Sequence, residues 1–264
     1  MKAVKVDLPR KLKHVEIYTL SDLHLGDRNC NYKELLEQVK TIEANPNAYV
    51  ILNGDLINNA TTQSISDTYS ETASPMEQLK QATALFKPIK DKILAITSGN
   101  HENRTYRTDG IDLTEIMARE LGVGDRYAPE SVTLFLRVGE DGVRKYTNKP
   151  NLVRQICYVL FITHGSGGGR REGGKINRLV DLASIIDADI YIHSHTHLPA
   201  VLKQAFHRVD TRNNTVALVD KMFVNTNAWL NYGGYGEGHG YKPASIQTPV
   251  IHLDGSRKKF TAKL

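Results

Sequence analysis

The sequence predicts an α/β fold, and three observations support this class. Short apolar runs typical of buried strands alternate with segments of helical periodicity through the first half of the chain. The last third carries several further strand-like runs and few helical ones. No stretch of altered composition separates these parts, so we expect one domain that spans residues 1–264.

Strands and helices alternate up to residue 121. Apolar residues at helical spacing predict a helix over residues 31–43. A second helix is expected to begin at Ser74 and Pro75, because serine is a good N-cap and proline suits the first helical position. The other elements predicted here are strands over residues 14–22, 48–53 and 93–97 and a helix over residues 112–121.

The second half is predicted to contain more strand than helix. Apolar runs indicate strands over residues 131–138, 152–163 and 189–192, and a helical pattern covers residues 176–187. Several strand-like runs follow between residues 200 and 254. Within that part, the glycine- and tyrosine-rich segment 231–241 is expected to be a mobile surface loop.

Composition narrows the class of protein without naming a substrate. The 264 residues are 40% hydrophobic and 24% charged, which is ordinary for a soluble globular protein. No apolar stretch is long enough to span a bilayer, and the first residues lack the apolar region of a signal peptide, so we expect no membrane association. Cys30 and Cys157 form no C-x-x-C motif, which suggests a reducing, cytoplasmic location. The net charge of +5 tolerates a polyanionic partner without requiring one, and the oligomeric state stays open.

Polar residues of similar chemistry stand at the ends of five predicted strands. Ligands of α/β proteins bind beyond the carboxyl ends of strands, and residues i and i+2 of a strand share a face. One such residue alone is more often a turn or surface residue, but five strand ends in one chain indicate a shared site. The residues are Asp22, His24, Asp55, Asn100, His101, His164, His195 and His197.

The chemistry of this set indicates metal binding. Leaving His101 aside, it offers two aspartates, one asparagine and four histidines and no thiolate, which argues against a structural zinc finger. Seven ligands exceed what one tetrahedral ion needs, and they suit two divalent ions that share a carboxylate. Two ions about 3.5–4 Å apart form the clamp used in phosphoryl transfer and hydrolysis.

The motifs in order resemble those of the calcineurin-like metallophosphoesterase superfamily, over residues 15–197. The matching motifs are Asp22-x-His24, Gly54-Asp55, Gly99-Asn100-His101-Glu102, His164 and His195-x-His197. The resemblance implies a four-layer α/β/β/α sandwich with two mixed β-sheets. It further implies that one metal is bound by Asp22, His24 and His197, that the other is bound by Asn100, His164 and His195, and that Asp55 bridges the two.

The resemblance also implies an activity, the hydrolysis of phosphate esters by a hydroxide that two divalent ions activate. Manganese is the expected metal, with iron, zinc and nickel as alternatives. His101 matches the family's active-site histidine, which protonates the leaving oxygen or steadies the phosphate. The sequence departs from the family where Ser194 replaces a usual glycine and where Glu102 replaces a frequent aspartate. We expect the turn to tolerate Ser194 unless it needs a positive φ, and Glu102 to change how His101 is oriented.

A glycine-rich segment, residues 165–175, follows His164 and carries basic residues. It lacks the Ser or Thr of a nucleotide-binding P-loop, because Ile176 stands there. Two interpretations stay open: a plain surface loop, or a loop that brings Arg170, Arg171 or Lys175 to substrate phosphates. Arg104 and Arg107 are similar candidates.

The favoured function is a phosphodiesterase that acts on a nucleotide or nucleic acid. The alternatives are a DNA nuclease of the repair type and a protein or small-molecule phosphomonoesterase. A non-catalytic binding module with this fold is disfavoured, because such a module should have lost ligands and this chain retains all seven.

Overall fold

Strands and helices alternate in the computed structural model, which describes residues 1–62, 64, 68–142, 145–146, 148–167 and 169–264. Gly168 of the glycine-rich segment lies outside the described residues. The described strands are β1 Lys2–Asp7, β2 His14–Leu20, β3 Ala48–Asn53, β4 Ile93–Thr97, β5 Tyr127–Ala128, β6 Ser131–Val138, β7 Lys145–Tyr146, β8 Lys149–Val153, β9 Ile156–Thr163, β10 Ile190–His193, β11 Ala200–Asp210, β12 Thr215–Asn225, β13 Val250–Asp254 and β14 Phe260–Lys263. The described helices are α1 Tyr32–Ala44, α2 Pro75–Phe86, α3 Glu102–Asp109, α4 Leu113–Glu120, α5 Glu172–Asp181 and α6 Gly234–Gly238.

The described strands form two six-stranded mixed sheets and a small two-stranded sheet, β7–β8. The first sheet has the order β14-β13-β2-β3-β4-β5, in which β2, β3, β4 and β5 run parallel. The second sheet has the order β1-β6-β9-β10-β12-β11, in which β9, β10 and β12 run parallel. Parallel strands end at the same edge of a sheet, so each sheet presents a row of carboxyl-terminal strand ends.

The layers follow from where apolar side chains are buried. Residues of both sheets, among them Ile17 and Leu134, form one core between the sheets. A second core joins the outer face of the first sheet to α1, α2 and α4. On the outer face of the second sheet, Leu179 of α5 packs with Phe161 and Tyr191. The predicted α/β/β/α arrangement with two mixed sheets is therefore confirmed.

Local signals placed several elements correctly. Strands β3, β4 and β6 have the predicted bounds. Ser74 caps α2 through a capping box with Glu77, and Pro75 is the first helical residue. Asn31 caps α1, which ends at Ala44, one residue beyond the prediction.

Other predictions need correction. The strand predicted over residues 152–163 is divided between two strands of different sheets: β8 of the small sheet ends at Val153, and β9 of the second six-stranded sheet begins at Ile156. Between them, the side-chain amide of Gln155 donates to the carbonyl of Leu8 at 2.9 Å. Helix α5 begins four residues earlier than predicted, at Glu172. Strands β1 and β14 and helix α3 were not anticipated; α3 buries only Glu102, so it lacks an apolar stripe.

Two further points bear on the predicted organisation. The segment 231–241 is not loop throughout, since it contains the short helix α6, and its mobility stays a prediction, as does the single domain over residues 1–264. None of the helices in the described residues is both long and apolar enough to cross a membrane.

Candidate metal centre

The predicted ligands stand directly after strands of both sheets. Asp22 and His24 follow β2, Asp55 follows β3 and Asn100 follows β4, all in the first sheet. His164 follows β9, and His195 and His197 follow β10, in the second sheet. In the structure, all seven side chains lie together between the two rows of strand ends. They form two groups, and the donor atoms within each group are close enough to share an ion.

The first group consists of Asp22, His24 and His197. Asp22 Oδ1 lies 3.1 Å from His197 Nε2, and His24 Nε2 lies 3.4 Å from the same nitrogen. Asp22 Oδ1 and His24 Nδ1 are buried, and neither has a hydrogen-bond partner among the described residues. His197 Nε2, although 3.1 Å from Asp22 Oδ1, is therefore not aligned for a hydrogen bond with it. A buried carboxylate oxygen without a partner is costly, which indicates that a cation belongs beside it.

The second group is formed by Asp55, His164, His195 and Asn100. Asp55 Oδ2 and Asn100 Oδ1 each lie 3.2 Å from His164 Nε2, and Asn100 Oδ1 lies 2.7 Å from His195 Nδ1. Asp55 also lies within ligand-sharing distance of His24 from the first group. It therefore stands between the two groups, where a bridging carboxylate would be.

The spacing of these donor atoms fits a shared ion. Ligand atoms about 2.1 Å from one ion lie about 3.4 Å apart when the geometry is tetrahedral. The closest approaches of Asp22, His24 and His164 to other donors, at 3.1–3.4 Å, are close to that separation. The residues present thus fit divalent metal ions in both spacing and donor type.

Hydrogen bonds outside the groups orient the donors. The Nδ1 of His164 donates to the carbonyl of Asn53 at 2.8 Å, which leaves the Nε2 lone pair to face Asp55. Ser21 Oγ donates to Asp22 Oδ2 at 2.7 Å, and the backbone N–H of His195 donates to the same oxygen at 3.2 Å. The other carboxylate oxygen of Asp22 is left for an ion.

Backbone strain is concentrated at the same residues. Seven non-glycine residues of the described chain have a positive φ, and five of them are predicted ligands. Such conformations cost about 1–3 kcal/mol each and persist where surrounding structure enforces them, commonly at functional sites. The five are Asp22 at 50°, His24 at 49°, Asp55 at 50°, His195 at 66° and His197 at 53°.

Glu102 has a different role from the one expected. Its buried carboxylate does not orient the neighbouring histidine; it accepts hydrogen bonds from four backbone N–H groups that surround Asp55. Burial, and then repulsion from the Asp55 carboxylate, raises the pKa of Glu102 to about 7, while the N–H groups act in the opposite direction. The four donors are Asp55 at 3.0 Å, Leu56 at 2.5 Å, Ile57 at 3.1 Å and Gly99 at 2.8 Å.

His101 is oriented by Asn58 and Arg104 instead. Its Nδ1 donates to the Asn58 carbonyl at 2.7 Å, and Arg104 Nη2 donates to its Nε2 at 3.0 Å. Burial lowers the pKa of His101, and the charge of Arg104 adds to this lowering against the opposite effect of Asp55. His101 Nε2 lies 3.9 Å from Asp55 Oδ2, so the ring and the Arg104 guanidinium both border the candidate ligands.

The substitution at Ser194 is tolerated as expected. Its φ is not positive, so the position does not require glycine. The Ser194 backbone N–H donates to the carbonyl of His164 at 3.1 Å, and its hydroxyl accepts from Asn53 at 2.5 Å. The serine therefore links the ends of β3, β9 and β10.

The basic residues of the glycine-rich segment lie in different places. Lys175 Nζ donates at 2.7 Å to the carbonyl of Thr196, which stands between two predicted ligands. The Arg170 guanidinium lies 5.9 Å from the centre of the Tyr241 ring, and Arg171 is an exposed residue just before α5. The segment thus packs beside the candidate centre and against the end of the 231–241 segment.

A cavity of about 820 Å³ opens next to the second ligand group. Asn100 and His164 line it together with Arg107, Lys2 and Tyr106. Acidic residues, among them Glu130 and Asp112, line it as well, so its charge is mixed. It is large enough to hold part of a substrate beside the ligands.

Several supporting residues were not predicted. Asn59 is buried with a φ of 45° and donates to the carbonyl of His101 at 2.7 Å. His193 is buried and hydrogen-bonded to Asn225 at 2.9 Å; its ring fills the space that a Cβ at Gly165 would need. The sequence offered no signal for these roles beyond nearness to a predicted ligand, since Asn59 comes four residues after Asp55 and His193 two residues before His195.

The match to a family model agrees with this geometry. The family model described as calcineurin-like phosphoesterase matches residues 15–199. No curated protein is significantly similar in sequence.

Solved structures with a similar fold have low sequence identity. A conserved protein of Streptococcus pneumoniae TIGR4, described as a predicted phosphoesterase, is 15% identical, with 95% of this chain and 90% of that chain covered and a TM-score of 0.39. A mutant of Vps29 from Entamoeba histolytica is 11% identical, with 94% and 97% covered and a TM-score of 0.41. The nuclease MPE of Pseudomonas putida is 11% identical, with 94% and 87% covered and a TM-score of 0.36.

The match of the family model over most of the chain is the decisive comparison, and the ligand groups fit a divalent metal site. The chain therefore belongs to the calcineurin-like phosphoesterase family, which indicates a metal-dependent hydrolase of phosphate esters.

Proposed function

We propose that the protein is a phosphodiesterase with two divalent ions, manganese being the best suited, and that it acts on a nucleotide or nucleic acid. One observation carries the proposal of two ions: Asp55 stands between two ligand groups, each with donor atoms spaced for a shared ion. Bound ions would supply Lewis acidity toward the phosphate and lower the pKa of a water molecule.

The chain's own residues would divide the remaining work. Asp22, His24 and His197 would hold one ion, and Asn100, His164 and His195 would hold the other, with Asp55 between them. Hydrogen bonds fix three of the seven candidate ligands. Asn53 orients His164, Ser21 orients Asp22, and Glu102 holds the backbone of Asp55. Fixed donors of this kind reduce the reorganisation needed when charge develops in the transition state.

His101 and Arg104 would act on the phosphate itself. Both side chains border the ligand groups, and the guanidinium at present donates to His101 Nε2. A phosphate oxygen is a stronger acceptor for Arg104 than an imidazole nitrogen. Arg104 would therefore turn to the substrate. His101 Nε2 would then be free to take up a proton from solvent and pass it to the leaving oxygen, or to hold the phosphate.

The preference for a diester with additional phosphates rests on the surrounding cations. Arg104 contacts the site, Arg107 lines the adjacent cavity, and Arg170, Arg171 and Lys175 lie in the segment that follows His164. A simple monoester places its dianion on the ions and needs little further positive charge. Extra cations are most useful when the substrate carries phosphates beyond the scissile one.

The experiment that tests the proposal is a substrate screen of the manganese-loaded protein. Phosphomonoesters, phosphodiesters, cyclic nucleotides, and single- and double-stranded DNA are compared at matched concentration. We expect the highest kcat/KM on a phosphodiester. Preference for DNA would assign the nuclease alternative, preference for monoesters would contradict the diester proposal, and no turnover with both ions bound would indicate a binding module.

A further inference from the structure

A second cluster of metal-binding side chains lies at the opposite end of β2 from the candidate centre. His14 and Glu16 stand at the start of β2, and His252 on β13 pairs with Glu16 across the antiparallel ladder. Alternate residues of a strand share a face, so all three side chains project to the same side of the first sheet. Val15 and Ile17 are buried between the sheets, which places the cluster on the opposite, partly exposed face.

The donor atoms of the cluster have the spacing of a metal site. His14 Nε2 lies 3.2 Å from Glu16 Oε1 and 3.4 Å from His252 Nδ1, and the ligand atoms of all three lie within 4.8 Å of one another. Two of these separations match the roughly 3.4 Å expected between ligands of one tetrahedral ion. They also match the separations of 3.1 Å and 3.4 Å within the group of Asp22, His24 and His197.

The surroundings orient the cluster for binding. Glu16 Oε2 accepts hydrogen bonds from Asn45 Nδ2 at 2.9 Å and from the Tyr18 hydroxyl at 3.3 Å, so Oε1 is the oxygen that faces His14. The rings of His14 and His252 are stacked, with centroids 5.3 Å apart and 22° between the planes. Carboxylates held by a second layer of hydrogen bonds are characteristic of metal sites.

Without an ion, the close approach of these atoms depends on shared protons. Two imidazole nitrogens that approach to 3.4 Å need a proton or a cation between them. A proton on His14 Nε2 would have to serve both the Glu16 carboxylate and His252 Nδ1 at once. An ion would bind all three atoms, and the partial exposure of the cluster leaves a fourth position for water.

We propose that His14, Glu16 and His252 bind a divalent transition-metal ion at a site separate from the candidate metal centre. Two imidazoles and one carboxylate suit zinc, cobalt or nickel better than magnesium or calcium. An ion there would join β2 to β13 at the outer face of the first sheet. The proposal does not depend on the proposed phosphodiesterase function, because no residue is shared with that site.

The first measurement is zinc uptake by the metal-loaded protein, determined by elemental analysis after dialysis. The second is NMR, which follows the chemical shifts of the histidine ring nitrogens as zinc is added. The variants are His252→Ala and Glu16→Gln, and His207→Ala on β11 is the matched control because it removes one exposed histidine outside any cluster of the described residues. We expect His252→Ala and Glu16→Gln to bind one zinc ion fewer per chain than the wild type and the control, with unchanged phosphoesterase activity. The ring-nitrogen signals of His14 and His252 should move when zinc is added to the wild type.

The opposite results would overturn the proposal. If wild type and His252→Ala bind the same number of zinc ions, and the ring signals of His14 and His252 do not shift, then the cluster is a hydrogen-bonded surface contact. The NMR measurement uses the unmodified chain, so it decides the question even if a variant folds poorly.

Discussion

Replacing Glu102 by glutamine should lower the free energy of unfolding and should also leave the backbone around Asp55 less firmly held. The carboxylate accepts four backbone N–H groups, two at each oxygen: Leu56 and Ile57 at Oε1, Asp55 and Gly99 at Oε2. Glutamine keeps one oxygen, but its amide NH₂ would face the other two donors. Each buried N–H left without an acceptor costs about 1–3 kcal/mol, so we expect a loss of about 2–6 kcal/mol.

The measurement is urea unfolding followed by circular dichroism at pH 8, where a carboxyl group with a pKa of about 7 is mostly ionised. Glu115→Gln on α4 is the control, because the Glu115 side chain is partly exposed and its salt bridge with Arg119 is an i,i+4 pair at the surface. Surface substitutions of this kind change stability by about 0.5 kcal/mol or less. Affinity for Mn²⁺ should fall in Glu102→Gln and stay unchanged in Glu115→Gln.

The reasoning is refuted if Glu102→Gln unfolds at the same urea concentration as the control. If Glu102→Gln lowers stability but leaves the affinity for Mn²⁺ unchanged, only the expected loss of metal affinity is refuted. In that case the hydrogen bonds stabilise the fold but do not position Asp55.

Four further predictions concern the candidate centre and its surroundings. Elemental analysis should find close to two metal ions per chain, and Asp55→Asn should lower both occupancy and activity, since it lies between the groups; wild-type occupancy in the variant would count against bridging. The His101→Ala variant should keep its metal but hydrolyse an alkyl or nucleotide ester up to about 10²- to 10⁴-fold more slowly, with a smaller effect on a nitrophenyl ester. If hydrolysis of both esters slows equally, His101 positions the phosphate and does not donate the proton. Replacing both Arg170 and Arg171 by alanine should raise KM for a nucleotide substrate and barely change it for a nitrophenyl diester, and unchanged kinetics on every substrate would make the segment a plain surface loop. Burial, and then the Asp27 carboxylate, raises the pKa of Cys30 from 9.0 to about 12, which lowers its thiolate fraction at pH 8 by about 10³-fold. Because a thiolate of higher pKa is the stronger nucleophile, this thiol should react with a disulfide reagent at least about 10-fold more slowly in the native than in the urea-unfolded protein, and equal rates would contradict that environment.

The parts of the fold that sequence could predict were those with local causes. Strands β3 and β4 are short apolar runs bounded by turn residues, and Ser74 with Pro75 is a helix start on its own. The proximity of the candidate ligands could be predicted because each stands at a strand end, a position that the sequence pattern reveals. What the pattern did not show is that several of them adopt a positive φ.

The supporting contacts could not be predicted, because they join distant parts of the chain. Glu102 is 47 residues from Asp55, and Asn53 is 111 residues from His164. Asn53 has no sequence signal beyond being polar, and the motif that contains Glu102 does not show which groups its carboxylate contacts. Arg104 and Arg170 looked alike in sequence, yet one contacts His101 and the other lies against Tyr241, a difference that only the fold decides.

Because the candidate ligands are divided between the sheets, ion binding at this centre would be thermodynamically linked to sheet packing. Each group combines residues of both sheets, so an ion bound by either group would stabilise only the state in which the sheets are packed, by about 2.7 kcal/mol when its free concentration is a hundred times Kd. The order of synthesis adds a kinetic consequence. The last predicted ligand is His197, whereas β13 and β14, which complete the first sheet, come only after residue 249. During translation, every ligand is therefore synthesised before the first sheet is complete, and an ion captured early would be held by an unfinished scaffold.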